Sequence, residues 1–377
     1  MLSENSNQAK DRLLTVGQAI EDSGRDNNFN LLRFVAATLV IWSHSYALLP
    51  NGLPSDPSVR VLGFGFAGIA VNAFFAISGF LIVRSYIQHN NLGIYLQARA
   101  LRIMPGLVVA VLFCALVVGP LFTSLPLNDY FGNSGVGRFI TSNIVMYQRT
   151  ANLPGVFSEN VSAGVNGSLW TLSYEVSMYL AVAILGVLGL LKRGTGIAFI
   201  CFAYAAYFIF ATGHPDLAEQ WLSPRTDKYL RLSLYFFLGG SLYVFKHRVI
   251  LWGPAVIALW LLTLISYKSS LFSSLFAVAL AYSVLWLALI PRGFVRRFNS
   301  VDDYSYGIYI YAFPVQQAIV ATHNDIGEAT LFGTAFMVTL VLAWLSCNLV
   351  EKPASRLSSH LTRRYYEHVT PGTSVNS

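Results

Sequence analysis

Long apolar runs alternate along the chain with short polar, mostly basic connections, and the runs are too long and too unbroken for sheet strands. A helix needs about twenty mainly apolar residues to cross the hydrocarbon core of a bilayer. On that template the pattern predicts about ten spans, near 31–50, 61–83, 103–122, 168–191, 195–213, 229–246, 249–267, 270–290, 303–322 and 329–350. Barrel strands would instead show alternation with a period of two over about ten residues. The expected fold class is therefore all-α, a polytopic membrane bundle. Residues 1–28 are read as an N-terminal tail, 29–351 as the membrane domain and 352–377 as a C-terminal tail. One connection stands apart: residues 123–167 are rich in Gly, Asn and Ser, with Asn-x-Ser triplets at Asn160 and Asn166. A loop of that length inside a compact bundle is usually functional, so it is expected to form a lid or an acceptor platform.

Composition supports the membrane reading. Apolar residues make up 55% of the chain and charged residues 11%, against roughly a quarter charged in a soluble domain. The net charge of +7 is spread between apolar segments rather than gathered on one face, which argues against nucleic acid as a partner. It follows the positive-inside pattern instead. With the N-terminus inside, the cytoplasmic side collects Lys10, Arg12, Arg25, Arg84, Arg99, Arg102, Lys192, Arg193, Lys246, Arg248, Arg292, Arg296, Arg297, Lys352, Arg356, Arg363 and Arg364. The other side holds Arg60, Arg138, Arg149, Arg225, Lys228, Arg231 and Lys268. Both termini are therefore expected in the cytoplasm. The polar, mixed-charge start predicts no cleaved leader. Cys114, Cys201 and Cys347 sit in apolar runs without metal-like spacing, so neither a disulfide framework nor a metal is expected.

Ionisable groups inside spans carry the candidate chemistry, because each costs roughly 3 kcal/mol or more at mid-membrane. The first span, FNLLRFVAATLVIWSHSYALL, contains Arg33 and His44. Eleven residues make almost three turns, which puts the two on nearly one face, about 16 Å apart along the axis. A snorkelling Arg33 and a hydrogen-bonded interior His44 are the plain reading. A proton-moving histidine is the functional one. Glu175 lies about two turns inside the fourth span, GSLWTLSYEVSMYL. It either bonds a neighbouring Tyr or Ser or forms a His–carboxylate pair with His44, which would orient the imidazole. In VNAFFAISGFLIV, Ser78 and Gly79 permit a kink or the close approach of a backbone or ligand. Arg99 and Arg102, one turn apart, either anchor the inner boundary or grip phosphate. Tyr304, Tyr306, Tyr309 and Tyr311, followed by Pro314 and two glutamines, form an interfacial belt or line a cavity.

The ordered set of these motifs resembles the acyltransferase family 3 membrane proteins, which O-acylate lipopolysaccharide, exopolysaccharide and nodulation factors. The matching residues are Arg33 and His44, FFAISGF at 74–80, Arg99 and Arg102, SLWTLSYEVSMY at 168–179, SYGIYIYAFP at 305–314 and the closing Glu351-Lys352-Pro353. The resemblance spans residues 28 to 356. It implies a ten-helix bundle in the bacterial inner (plasma) membrane, taking an acyl group, usually acetyl, from acyl-CoA to a carbohydrate hydroxyl. It also implies catalytic Arg33 and His44 and a donor site at Arg99 and Arg102. Ser78 or a nearby amide is expected to stabilise the oxyanion. Where many members carry a histidine, this chain has Ala312, and no fused esterase-like domain of the kind larger members carry is expected. Direct transfer with His44 as general base and an acyl-histidine relay both fit. The alternative from another class is a transporter or flippase of a glycan precursor, with His44 and Glu175 as proton relay. The absence of internal repeats of the kind many secondary transporters carry tells against that reading.

Overall fold

The structure is a computed structural model that describes residues 13–24, 26–49, 56–193, 195–217 and 223–369. The expected inner charges Lys10, Arg12 and Arg25, and the tail beyond residue 369, lie outside them. The fold is almost wholly helical, with one two-residue antiparallel strand pair. Among the described residues five helical stretches are long and apolar enough to cross a bilayer: Phe66–His89, Leu92–Phe122, Gly167–Val187, Phe272–Leu289 and Glu328–His368. The other expected segments are helical too, at Phe29–Ala47, Thr195–Gly213, Pro224–Val244, Gly253–Ile265 and Ser305–Thr322. Apolar side chains also face outwards, Ile184 at 60% exposure and Ile265 at 80%. Water would penalise such surfaces and lipid does not. The protein is an all-α membrane protein.

The described chain divides into two compact units. The first comprises residues up to 33, 72–90 and 180–301. Within it, residues 72–89 cross the helix Pro224–Val244 at close range. A Cβ on Gly79 would fall 1.7 Å from the Phe236 carbonyl oxygen, and one on Gly239 would fall 1.9 Å from that of Ala76. The Ser-Gly step thus serves the approach of two backbones, and a side chain on either glycine would wedge them apart. The segment read as a tail folds back onto this unit. Leu14–Thr15 pairs with Ile250–Leu251, and a Thr15/Gln18 capping box starts the helix Val16–Ser23. Buried polar groups here cap a helix end: Asn28 Nδ2 donates to the Leu287 and Pro291 carbonyls. Arg296 donates to those of Leu289 and Pro291 and pairs with Asp26.

The second unit comprises residues 34–71, 91–179 and 302–377. Two of its long helices each contain one π-helical turn, Cys114–Val118 and Cys347–Glu351. Each turn ends two residues ahead of a proline, Pro120 and Pro353. Proline brings no N–H and collides with the carbonyl four residues back, and a widened turn relieves both problems. Widening frees carbonyls for side chains, and the Tyr130 hydroxyl donates to the Ala115 carbonyl at 2.8 Å. Gly119 makes room, since a Cβ there would lie 1.8 Å from the Tyr130 oxygen.

The long connection is ordered rather than open loop. It holds the helices Leu127–Gly132 and Ser134–Val145, and its remainder is pinned to the helix Ser305–Thr322. Gln317 Nε2 donates to the Ser162 and Gly164 carbonyls at 2.6 and 2.7 Å, and Asn160 donates back to Gln317. Pro314 leaves the Ile310 carbonyl without its helical donor, and Asn166 Nδ2 fills that place at 2.8 Å. Both Asn-x-Ser asparagines therefore act as structural ties.

Candidate functional site

The helix Phe29–Ala47 carries Arg33 on its second turn and His44 near its end. Arg33 falls in the first unit, as does Ser78, which sits beside the helix crossing at Gly79. His44, Glu175, Arg99 and Arg102 fall in the second unit, and the site geometry is built from that unit alone.

His44 packs edge-to-face against Phe313, with ring centroids 5.2 Å apart. Its Nδ1 is buried and has no hydrogen-bond partner among the described residues. The expected pair with Glu175 is not formed in the structure. Glu175 instead accepts a hydrogen bond from the Tyr179 hydroxyl, one turn along its own helix. The local reading of Glu175, a bond to a neighbouring tyrosine, is the one the geometry displays.

The backbone around His44 is held from two directions. Gln316 is fully buried, and its Nε2 donates to the Ile41 carbonyl at 2.9 Å and to Ser45 Oγ at 2.8 Å. Ser45 Oγ donates in turn to the same Ile41 carbonyl at 3.0 Å. On another side Ser43 Oγ donates to Asp56 at 2.6 Å. Asp56 also accepts from Ser58 N and Oγ and from Phe66 N. One buried carboxylate therefore ties the histidine helix to the starts of the two helices that follow, Pro57–Leu62 and Phe66–His89. Burial raises its proton affinity, but these hydrogen bonds outweigh burial and hold the carboxyl below the ordinary aspartate value.

The arginine pair lies on Leu92–Phe113. Arg102 Nη2 contacts Asp303 at 2.7 Å and Nη1 lies 3.6 Å from Glu351 Oε2. Tyr306 stands beneath the guanidinium, 5.9 Å from its ring centroid, and donates to the Ile103 carbonyl at 2.8 Å. Asp303 also accepts from Ser305 N and Oγ, which starts the helix Ser305–Thr322. Glu351 closes the second π turn. Its side chain is 4% exposed, and its Oε1 accepts from Ser346 at 3.0 Å. Arg102 is thus partly neutralised from within and keeps about a third of its surface open, at 36%. Arg99 has a buried Nε without a hydrogen-bond partner among the described residues.

Of the four tyrosines, Tyr304 and Tyr306 are partly exposed and the other two are interior. Tyr309 and Tyr311 are buried, the first sharing a hydrogen bond with Thr171 at 2.8 Å and the second packing on Phe113. The helix Ser305–Thr322 therefore runs from Arg102 at Tyr306 to His44 at Phe313 and Gln316. Those ten residues from Tyr306 to Gln316 correspond to about 15 Å of rise. Among the described residues no group of three or more His, Cys, Asp or Glu could hold a metal. Asp56, Asp303 and Gln316 were not singled out by the sequence pattern. The two glutamines in an otherwise apolar helix were the available signal for Gln316.

The acyltransferase domain family matches the chain over residues 26–347. An O-acetyl transferase of Shigella phage Sf6 is 31% identical over 342 residues, covering 87% of this chain and 96% of that protein. Nodulation protein 10 of Rhizobium leguminosarum bv. viciae is 29% identical over 366 residues, covering 91% and 96%. No solved structure matches.

Proposed function

Starting from the fact that this chain belongs to the acyltransferase domain family and is an acyltransferase, we propose that it moves an acetyl group from acetyl-CoA to a hydroxyl of a cell-surface or exported glycan. The proposed setting is a bacterial inner membrane, with about ten spans and both termini in the cytoplasm. The observation that carries the reading is the helix Ser305–Thr322, with Arg102 at one end and His44 towards the other. Coenzyme A is charged and cytoplasmic, so arginines suit its phosphates. Arg99 and Arg102 hold them, with Asp303 and Glu351 keeping the Arg102 guanidinium in place. The flexible arm of the donor extends along the Ser305–Thr322 helix and brings its thioester towards His44.

His44 takes the proton of the sugar hydroxyl as that oxygen attacks the thioester carbon. The carbon–sulfur bond then breaks, and the leaving thiolate recovers the proton from His44. No net proton is consumed and no metal is required by the balance. Residues 150–167, pinned to the same helix by Gln317 and Asn166, form the platform for the glycan. The relative from Shigella phage Sf6, an O-acetyl transferase, supports acyl transfer to oxygen.

Membranes containing the protein are incubated with acetyl-CoA labelled in the acetyl group, together with a glycan extract from a host lacking the gene. Label is expected in the glycan fraction and released by mild base, as an ester is. Label that remains wholly in acetyl-CoA across several glycan extracts would remove the donor assignment and return transport of a glycan precursor to the front.

A further inference from the structure

A general base needs its ring held in one orientation, and a carboxylate on Nδ1 is the common device. Here Nδ1 is buried and has no hydrogen-bond partner among the described residues, and Glu175 is engaged by Tyr179. Among those residues no carboxylate holds this imidazole. We propose that Gln316 is the positioning residue for His44, holding the turn that bears it through the Ile41 carbonyl and Ser45 hydroxyl.

Three observations converge. Gln316 has no exposed surface, so its carboxamide is committed to protein partners. Both Nε2 contacts fall on residues flanking His44, three positions before it and one after. The same helix face supplies Phe313, one turn earlier, as the ring's edge-to-face neighbour. One helix thereby fixes the backbone that presents His44 and the surface against which the imidazole lies. Gln316 is unequally used, since its Oε1 has no hydrogen-bond partner among the described residues. A buried carbonyl left so is costly, so it is not retained for stability alone. It leaves a buried acceptor on the side chain that holds the His44 turn.

The proposal rests on His44 as the reacting base, and its test reads His44 directly. Full-length protein in detergent is treated with diethylpyrocarbonate, and carbethoxylation of each histidine is followed by peptide mass spectrometry. Gln316→Met keeps the side-chain length and removes both donors. It is expected to change the rate at His44 by about threefold or more, as a displaced ring would, while the exposed His323 and His360 keep their wild-type rates. In membranes, kcat for acetyl transfer should fall about 10²-fold with KM for acetyl-CoA unchanged, the pattern of a displaced reacting group. Ser45→Ala removes one of the two contacts and should give a smaller shift of the same sign; it carries the test if Gln316→Met does not fold. An unchanged His44 rate in the folded variants overturns the proposal. A shifted His44 rate where even the wild type transfers no acetyl group supports the positioning and sinks the acetyl-CoA reading instead.

Discussion

The two units are held together by different means. The first relies on small residues that let helices touch along their backbones, at Gly79 and Gly239, and on polar side chains that cap helix ends, at Asn28 and Arg296. The second is tied by side-chain networks: Asp56 with its four donors, Gln316 and Gln317, and Arg102 between two carboxylates. Of the buried polar atoms without a partner among the described residues, the first unit has Asn28 Oδ1 and Ser274 Oγ. The second has His44 Nδ1, Arg99 Nε, Ser168 Oγ, Gln316 Oε1 and Thr339 Oγ1. A buried polar atom without a partner costs about 1–3 kcal/mol, and membrane interiors make ionisable groups rarer still. On the proposed function the second unit carries His44, Arg99 and Arg102, while Arg33 and Ser78 fall in the first.

The comparison breaks most sharply at the helix crossing. Gly79→Val places side-chain atoms where the Phe236 carbonyl already stands, an overpacking cost at or above about 3 kcal/mol. The variant is expected to yield no monodisperse protein after detergent extraction. If it instead accumulates normally and loses only acyl transfer, Gly79 belongs to the site and the division of labour is wrong.

A smaller effect is expected at Asp56. Asp56→Asn replaces a carboxylate that accepts four hydrogen bonds, costing about 1–3 kcal/mol. The sign with pH follows from its lowered proton affinity. The wild-type advantage is complete above the unfolded carboxyl value of about 4. It fades as pH falls through the lower value of the folded state. Melting curves of the two proteins taken from neutral pH downwards should therefore converge in acid. Curves that stay parallel would show that the carboxylate charge is not what Asp56 contributes.

Much of this was legible in the residue pattern. The apolar runs gave the helices, because a span must satisfy its own backbone and little else competes with that demand. The Ser78-Gly79 step announced close approach, and the ordered motifs pointed to the acyltransferase family. Partnerships were not legible. Glu175 and His44 are both costly in a membrane, which suggested that they pair, yet Glu175 meets Tyr179 one turn along its own helix. Arg99 and Arg102 looked equivalent by spacing, whereas Asp303 and Glu351 single out Arg102 from positions some two hundred residues away. The N-terminal segment read as a tail because two-residue strands leave no periodic signal. The π turns were written only in Pro120 and Pro353.

The central claim is that His44 performs acyl transfer onto a glycan. The most direct measurement is mass spectrometry of surface glycans from cells lacking the native gene and supplied with wild type or His44→Ala at equal membrane abundance. A mass increment of one acetyl group is expected with wild type, and a loss of about 10²-fold or more with the variant, the scale of a missing general base. The same increment at wild-type level in His44→Ala would contradict that claim.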